Sequence, residues 1–550
     1  MTTHIIGSED KHETKLIQHL GIVAGICKES GVAELIDERV EQPKRHVTVG
    51  QATVAMILNA LGLSGRALYL TKRFFVNRPV DELIAPHIKA EDLHDYSLGT
   101  ALDAIYEYGI TELFSTVAGS ILEANGISTR FAHLDSTTFS LHGQYNSELD
   151  SNEIEEGVVH ITKGYSKDHA PELNQVVVQM ICAHKSSIPI WIEALSGNTS
   201  DKKSFRKTVA QFQHQFDRDT MPYVVMDAAF YTRENLRSCE GVRWVTRVPE
   251  TLKEVLEHYR ALDRDSMVGI APGYRYVPVE SEYAGVLQRW LLVYSEQAYA
   301  REIRTFEKRL AKLSDRAEKD LKHLRNRPFA CEADAQAAAE AFRSKLRYHD
   351  LDWKICARCR YSNRGRPAAG ARPDVVEWYI EGTLQEDEQA IEEARGRKGM
   401  FVIATNELDA EALTDRQLLE VYKDQGVTVE RGFRFLKDPM FYAESLYLKS
   451  EKRIMALIMV MTLSLLMYAL AERRVRTALA ETNAHIWDQK DKPTQRPTIR
   501  WVFMIFEDVL LLYFNDRGVT RKVPTNLREE HRIILRCLGP IYEKMYFLRL

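Results

Sequence analysis

The run IMALIMVMTLSLLMYAL at 454–470 constrains this chain more than any other stretch. Its length sits at the lower limit for crossing a bilayer, where about 17–25 apolar residues are needed. Glu451, Lys452 and Arg453 stand before it, and Glu472, Arg473 and Arg474 after it. One marginal span in an otherwise polar chain reads as a helix buried on all sides. A single-span membrane protein is the alternative, and fractionation after lysis separates the two. Burying such a helix takes a large body. The chain has 550 residues, enough for three or four units at roughly 150 residues each. A content of 45% hydrophobic and 28% charged residues gives no sign of disorder. The net charge of −4 excludes a uniformly basic coat but leaves room for local basic patches.

Residues 1–125 carry apolar side chains at three- and four-residue intervals and read as a helical, DNA-binding or purely structural region. At 131 the texture changes. FAHLDSTTFSLHG, NQVVVQMICAH and IPIWIEAL read as strands. A helix follows, starting at Thr199 or Ser200, and then the short strands MPYVVMDAAFY and VRWVTRVP. Residues 126–248 are thus expected to form the first part of a mixed α/β core. Residues 249–397 read as an insertion of antiparallel strands and a helical hairpin. Its seam is Ile303, Phe306, Leu310, Leu313 and Ala317, with EADAQAAAEAFRSKL as partner. The core resumes at GMFVIATN and runs to about 475. Residues 476–550 read as helical, RWVFMIFEDVLLLYF included.

The seven cysteines are odd in number and scattered, and the polar start MTTHIIGSED has no apolar leader core. A reducing, cytoplasmic setting follows as the expectation. Cys356 and Cys359 form one CxxC without a second, and structural zinc sites take four ligands. His133, His142, His160, His169 and His184 match no ligand spacing.

Three acids sit in unusual settings. Asp135 lies inside the apolar strand AHLDSTTF, Asp227 ends YVVMDAAF, and Glu430 lies on a helix ahead of the apolar run. A desolvated carboxylate needs a cation or a proton. Three that converge suit Mg²⁺, the hard ion that carboxylates and phosphates hold. A pair of such ions stabilises both the attacking and the leaving oxygen of a phosphoryl displacement. The strand end that Asp227 occupies is where α/β sheets bind ligands.

HLDSTTFS, GNTSD, YVVMDAAFY and VERGFRFLK resemble the motifs of DDE transposases of bacterial insertion sequences. They resemble the subgroup with a β-rich insertion in an RNase-H-like fold and a Tyr–Arg–Glu–Lys signature. The resemblance implies that Asp135, Asp227 and Glu430 are catalytic and bind Mg²⁺ or Mn²⁺, as two ions. It also implies cleavage at element ends and 3′-OH strand transfer into target DNA. The 203 positions between Asp227 and Glu430 exceed what a compact core needs, and the insertion accounts for them. Glu430 and Lys437 keep the six-residue gap of the signature. Its arginine slot falls on Gly426 and its tyrosine slot on Lys423, with Tyr422 one residue earlier.

Lys437, about 10 Å along the helix from Glu430 at 1.5 Å per residue, suits a neighbouring phosphate. Arg434 suits a phosphate or a pair with Glu430. Phe433 reads as core. Residues 343–372 hold nine Lys or Arg against two Asp, a candidate phosphate strip. Within it RGRP, with Arg364 and Arg366, resembles a minor-groove hook. Lys167 and Asp168 lie in a polar loop expected near the site. The expected partners are double-stranded DNA, as terminal inverted repeats and target, and a second copy of the chain on paired ends; no membrane is expected. A cytoplasmic, nucleoid-associated location goes with that. Two rival functions share these acids or their scaffold: an RNase-H-like nuclease without strand transfer, and a domesticated, non-catalytic DNA-binding protein.

Overall fold

A computed structural model describes residues 12–41, 45–64, 67–142, 145, 157–167, 170–217, 220–239, 241–360, 372–373, 375–438, 448–516 and 519–548. The organising element is a nine-stranded mixed sheet. Its strands are β1 (Phe131–Leu141), β2 (Asn174–Ala183), β3 (Ile188–Ser196), β4 (Tyr223–Met226), β5 (Trp244–Val248), β6 (Val268–Ala271), β7 (Tyr274–Tyr283), β8 (Val286–Ser295) and, after an insertion, β11 (Met400–Thr405). The spatial order is β3-β2-β1-β4-β5-β11-β8-β7-β6. Strands β1 to β3 form an antiparallel meander, and β4 and β5 run parallel to β1. That is the RNase-H-like arrangement. β11 lies antiparallel between β5 and β8, with Val402 opposite Val248 and Met400 opposite Tyr294. Residues 268–295, which the sequence places with the insertion, are therefore three more strands of the central sheet.

The helix α1 (Asp201–Gln213) begins after Ser200, as the sequence suggests, and lays Phe205, Val209 and Phe212 into the core. What stands apart from the sheet is 296–397. The helix α2 (Glu296–Arg325) is followed by α3 (Glu332–Arg343) and by a long antiparallel hairpin of β9 (His349–Arg360) and β10 (Val375–Glu386). This arm has two small cores of its own, Leu321–Phe329–Ala335–Ala339–Leu351–Ile380 and Phe306–Tyr348–Ile391. The seam residues Ile303, Phe306, Leu310 and Leu313 line the second core against Tyr348 and Ile391, whereas Ala335 and Ala339 of the expected partner helix line the first, against the hairpin.

The helices α4 (Asp415–Lys423), α5 (Gln425–Leu436) and α6 (Glu451–Glu481) complete the core. Thr414 and Gln417 close a capping box at the start of α4. α6 contains the apolar run, and its most apolar window is 89% buried. It packs against the N-terminal helices Leu20–Ser30, Val49–Leu61, Asp95–Tyr108 and Ile110–Ala124 on one side and against β3 on the other. Though long and apolar enough to cross a membrane, it is the central helix of the body.

The C-terminal region departs from the expected all-helical form. Leu510–Asp516 is a strand, paired with Val519–Thr525 on one edge and with Glu13–Leu16 on the other. Burial alternates along it, with Leu511 and Tyr513 inside. The segment LLLYF is apolar at every position, which hides that period of two, and its partner strand lies at the opposite end of the chain.

Candidate active site

On β1, side chains alternate between faces, so His133, Asp135, Thr137 and Phe139 share one. The parallel register pairs Phe131 with Tyr223, Ala132 with Val224 and His133 with Val225. Carried two positions further, it sets Asp135 level with Asp227, the first residue beyond β4. β4 stops there, which leaves the following edge of β1 open. Lys167 reaches this edge, donating to Ser136 O and Oγ, each at 2.7 Å. Asp135 is partly exposed and Asp227 exposed, so both stay hydrated. Ser136 N donates to Asp135 Oδ1 (2.7 Å) and Ala229 N to Asp227 Oδ1 (2.9 Å).

The helix α5 lies over this same face and is fastened at three levels. At its start, the Gln425 amide, turned to satisfy both contacts, donates to Met226 O (3.3 Å) and accepts from Asp227 N (2.9 Å). Beside it, the Asp424 carboxylate stands 3.6 Å from His184 Nε2, and His184 Nδ1 is 2.9 Å from His133 Nε2. Burial pushes His133 down to about 3, so it is neutral at ordinary pH. In the middle, Gly432 lets the helix touch the sheet. A Cβ there would come within 3.0 Å of Met180 and 3.1 Å of Leu465, and Met180 is the cross-strand partner of Asp135. At the far end, Lys437 Nζ stands over the Phe139 ring, 5.9 Å from its centre.

Val429, Phe433 and Leu436 turn inward, and Phe433 is core as expected. At about 100° per residue, Glu430 and Lys437 fall on one flank of α5 and Arg431 on the other. Glu430 is exposed. Arg431 is bound to Glu472 of α6 at 2.7 Å, where Arg476 (2.9 Å) and Ile499 N (3.1 Å) also converge. Arg434 is exposed too, beside a cavity of about 220 Å³ lined by Arg431, Tyr468 and Arg500. Among the described residues, no ion pair joins it to Glu430.

Tyr422 is largely buried beside Phe401, and burial raises its phenol above the usual range, opposed by the neighbouring Arg247 guanidinium. Asp168, Arg364 and Arg366 lie outside the described residues. In the described half of the basic strip, Lys354 pairs with Glu381 (3.3 Å) and Arg360 with Glu377 (3.5 Å). That part of the strip is largely neutralised within the hairpin. Among the described residues, no three His, Cys, Asp or Glu side chains are gathered closely enough to hold a metal ion by themselves. The oxygen donors of Asp135 and Asp227 nevertheless suit a hard cation, because Mg²⁺ is usually held by one or two carboxylates plus water and substrate phosphate.

The sequence did not single out Asp424. It lies at the junction of α4 and α5.

The profile of the family described as Transposase DDE domain matches residues 128–467. The chain belongs to the DDE transposase family. That match covers the sheet, the arm and most of α6 of this transposase-family chain. Residues 12–119, the N-terminal helices, match a family described only as a domain of unknown function (DUF4277). Among curated proteins nothing matches. Among solved structures, this DDE-family chain is similar to a piggyBac transposase synaptic complex with hairpin DNA. The identity is 9% and the TM-score 0.35, over 89% of this chain and 79% of the other.

Proposed function

We propose that this chain is an active DNA transposase. It would cut a phosphodiester at each element end and join the freed 3′-OH to target DNA. The observation that carries this reading is the level placement of Asp135 and Asp227 on neighbouring parallel strands, with the Glu430 helix laid over the same face. Asp135, Asp227 and Glu430 are the residues that would hold Mg²⁺ or Mn²⁺, as two ions. When bound, the ions supply charge neutralisation at the phosphate and at the attacking and leaving oxygens.

The chain's own residues do the rest. Asp135 stands on β1 and Asp227 just past the end of β4, and Gln425 and Asp424 set the start of the Glu430 helix against them. Lys437, on the Glu430 flank, contacts a phosphate beside the scissile one. Tyr422 and Arg434 contact the flanking strand, and Arg364 and Arg366 are further DNA contacts. In the first step a water oxygen bonds to phosphorus as the P–O3′ bond breaks, leaving a 3′-OH and a 5′-phosphate. In the second, the 3′-OH oxygen bonds to a target phosphorus, and a target 3′-oxygen leaves. Paired ends call for two copies of the chain, acting on DNA in the cytoplasm.

Oligonucleotides carrying element ends, incubated with Mg²⁺ and target plasmid, test this. Cleaved ends joined to plasmid are expected, and Glu430→Gln should give neither product. Cleavage without joining would instead identify a nuclease. Undiminished cleavage by Glu430→Gln would sink the assignment.

A further inference from the structure

The helix α2 runs along the insertion arm with two chemically opposite faces. Ile303, Phe306, Leu310, Leu313, Ala317 and Leu321 pack inward against the hairpin and the helix Glu388–Gly396. At 100° per residue, Arg301, Arg304, Lys308, Lys312, Lys319 and Lys322 fall within an arc of about 80° on the opposite side. All six are exposed. Arg309 and Arg316 border the same arc, and within it Asp315 is the one acid. Glu302, Glu307, Glu318 and Asp320 lie on the flanks. From Arg301 to Lys322 the row spans about 32 Å at 1.5 Å per residue.

On this helix Arg301 approaches Glu302 (4.0 Å) and Arg316 approaches Asp320 (3.8 Å). Among the described residues, Arg304, Lys308, Lys312, Lys319 and Lys322 have no ion-pair partner. Arg304, Lys308 and Lys312 succeed one another at four-residue spacing, where like charges destabilise a helix. Such a row opposes folding rather than helping it, so a reason for it lies outside the arm.

We propose that this face of α2 is a second duplex-DNA surface, which lies along the phosphate backbone outside the active site. The charge, the length and the regular spacing all fit a row of phosphates. A protein partner fits poorly, because interface cores are depleted of lysine and enriched in aromatic residues. No apolar side chain larger than alanine stands in this arc. A lipid surface would need an apolar face, and the apolar face of α2 is buried. The inference rests on the DNA reading above and adds a surface that binds without regard to sequence. That surface would hold the DNA flanking an end, or the target, while the carboxylates act elsewhere.

The test uses the full chain and a duplex of about 40 base pairs. Affinity is followed from roughly 50 to 300 mM KCl, because each phosphate contact contributes about −0.9 to the slope of log K against log salt. The combined variant Lys308→Gln, Lys312→Gln, Lys319→Gln, Lys322→Gln is expected to flatten that slope by about 3, with affinity reduced at least tenfold near 150 mM. Asp315→Asn, which removes the acid from the row, is expected to tighten binding. A misfolded protein could not give that gain. Parallel salt plots for wild type and both variants would overturn the proposal and leave the transposase reading standing. Absence of DNA binding by the wild type would overturn both.

Discussion

Arg431 and Arg476 converge on Glu472 at 2.7 and 2.9 Å beneath the candidate active site. Lys308 and Lys312 on α2, by contrast, are exposed and have no ion-pair partner among the described residues. The same kind of charge is spent in two ways. In the body, Arg289 holds Asp415 (3.1 Å) at the start of α4, and Arg453 holds Asp103 (2.7 Å) where α6 meets the N-terminal helices. Those arginines join elements together. On the outer face of α2 the cations are lined up instead, while those of the neighbouring hairpin are paired with Glu377 and Glu381. Satisfied charge marks construction, and unsatisfied charge of one sign marks a surface kept for something else.

The sharpest way to break this contrast is at the carboxylates, which belong to neither class. Asp227→Ala is expected to lower strand cleavage by roughly three orders of magnitude or more, while duplex binding persists in a mobility-shift assay. Next comes Glu472→Ala. It strands two arginines and the Ile499 N–H around a side chain that is only 7% exposed. The expected cost is about 3–5 kcal/mol in urea unfolding. An unchanged midpoint would mean that this cluster does not join α5 to α6.

A third test concerns buried charge in the N-terminal region. His19 is buried, donates from Nε2 to Leu61 O (2.9 Å) and stacks on Phe503. Burial pushes it down to about 4. Its folded pKa lies below the unfolded value near 6.5, so the unfolded chain binds the extra proton between them. The stabilisation is whole above pH 6.5 and is lost as pH falls towards 4, by about 3 kcal/mol. His19→Phe should flatten that part of the stability–pH curve. The smallest effect is expected on the arm, where Lys312→Gln should change stability by no more than about 0.5 kcal/mol. A larger loss would show that α2's cations also build.

Much of this body is legible in the sequence. The apolar run of α6 had to be enclosed, and β1 to β5 announced themselves by apolar runs bounded by turns. Asp135 and Asp227 stood out because an acid in such a run is costly. Other features left no local trace. The strand at 400–405 is visible as a strand, but its position between β5 and β8 depends on hydrogen bonds to segments more than a hundred residues away. The three strands of 268–295 were assigned to the insertion for the same reason: alternation along a strand does not say which sheet it will join. Asp424 has no special neighbours in sequence and gains its place only when α5 meets His184. Leu510–Asp516 misled because uniform apolarity has no period to read.

The position of β11 has a consequence for the chain while it is being made. Residues 131–248 leave the ribosome early and can pair among themselves, but the central gap of the sheet stays open until residue 405 has emerged. Glu430 follows later still, 203 positions after Asp227. At about 5–20 residues per second, that interval is some ten to forty seconds of translation. On the proposed reading, the nascent polypeptide carries throughout it two of the three metal-holding acids and lacks the third, so the site proposed for strand cleavage stays incomplete.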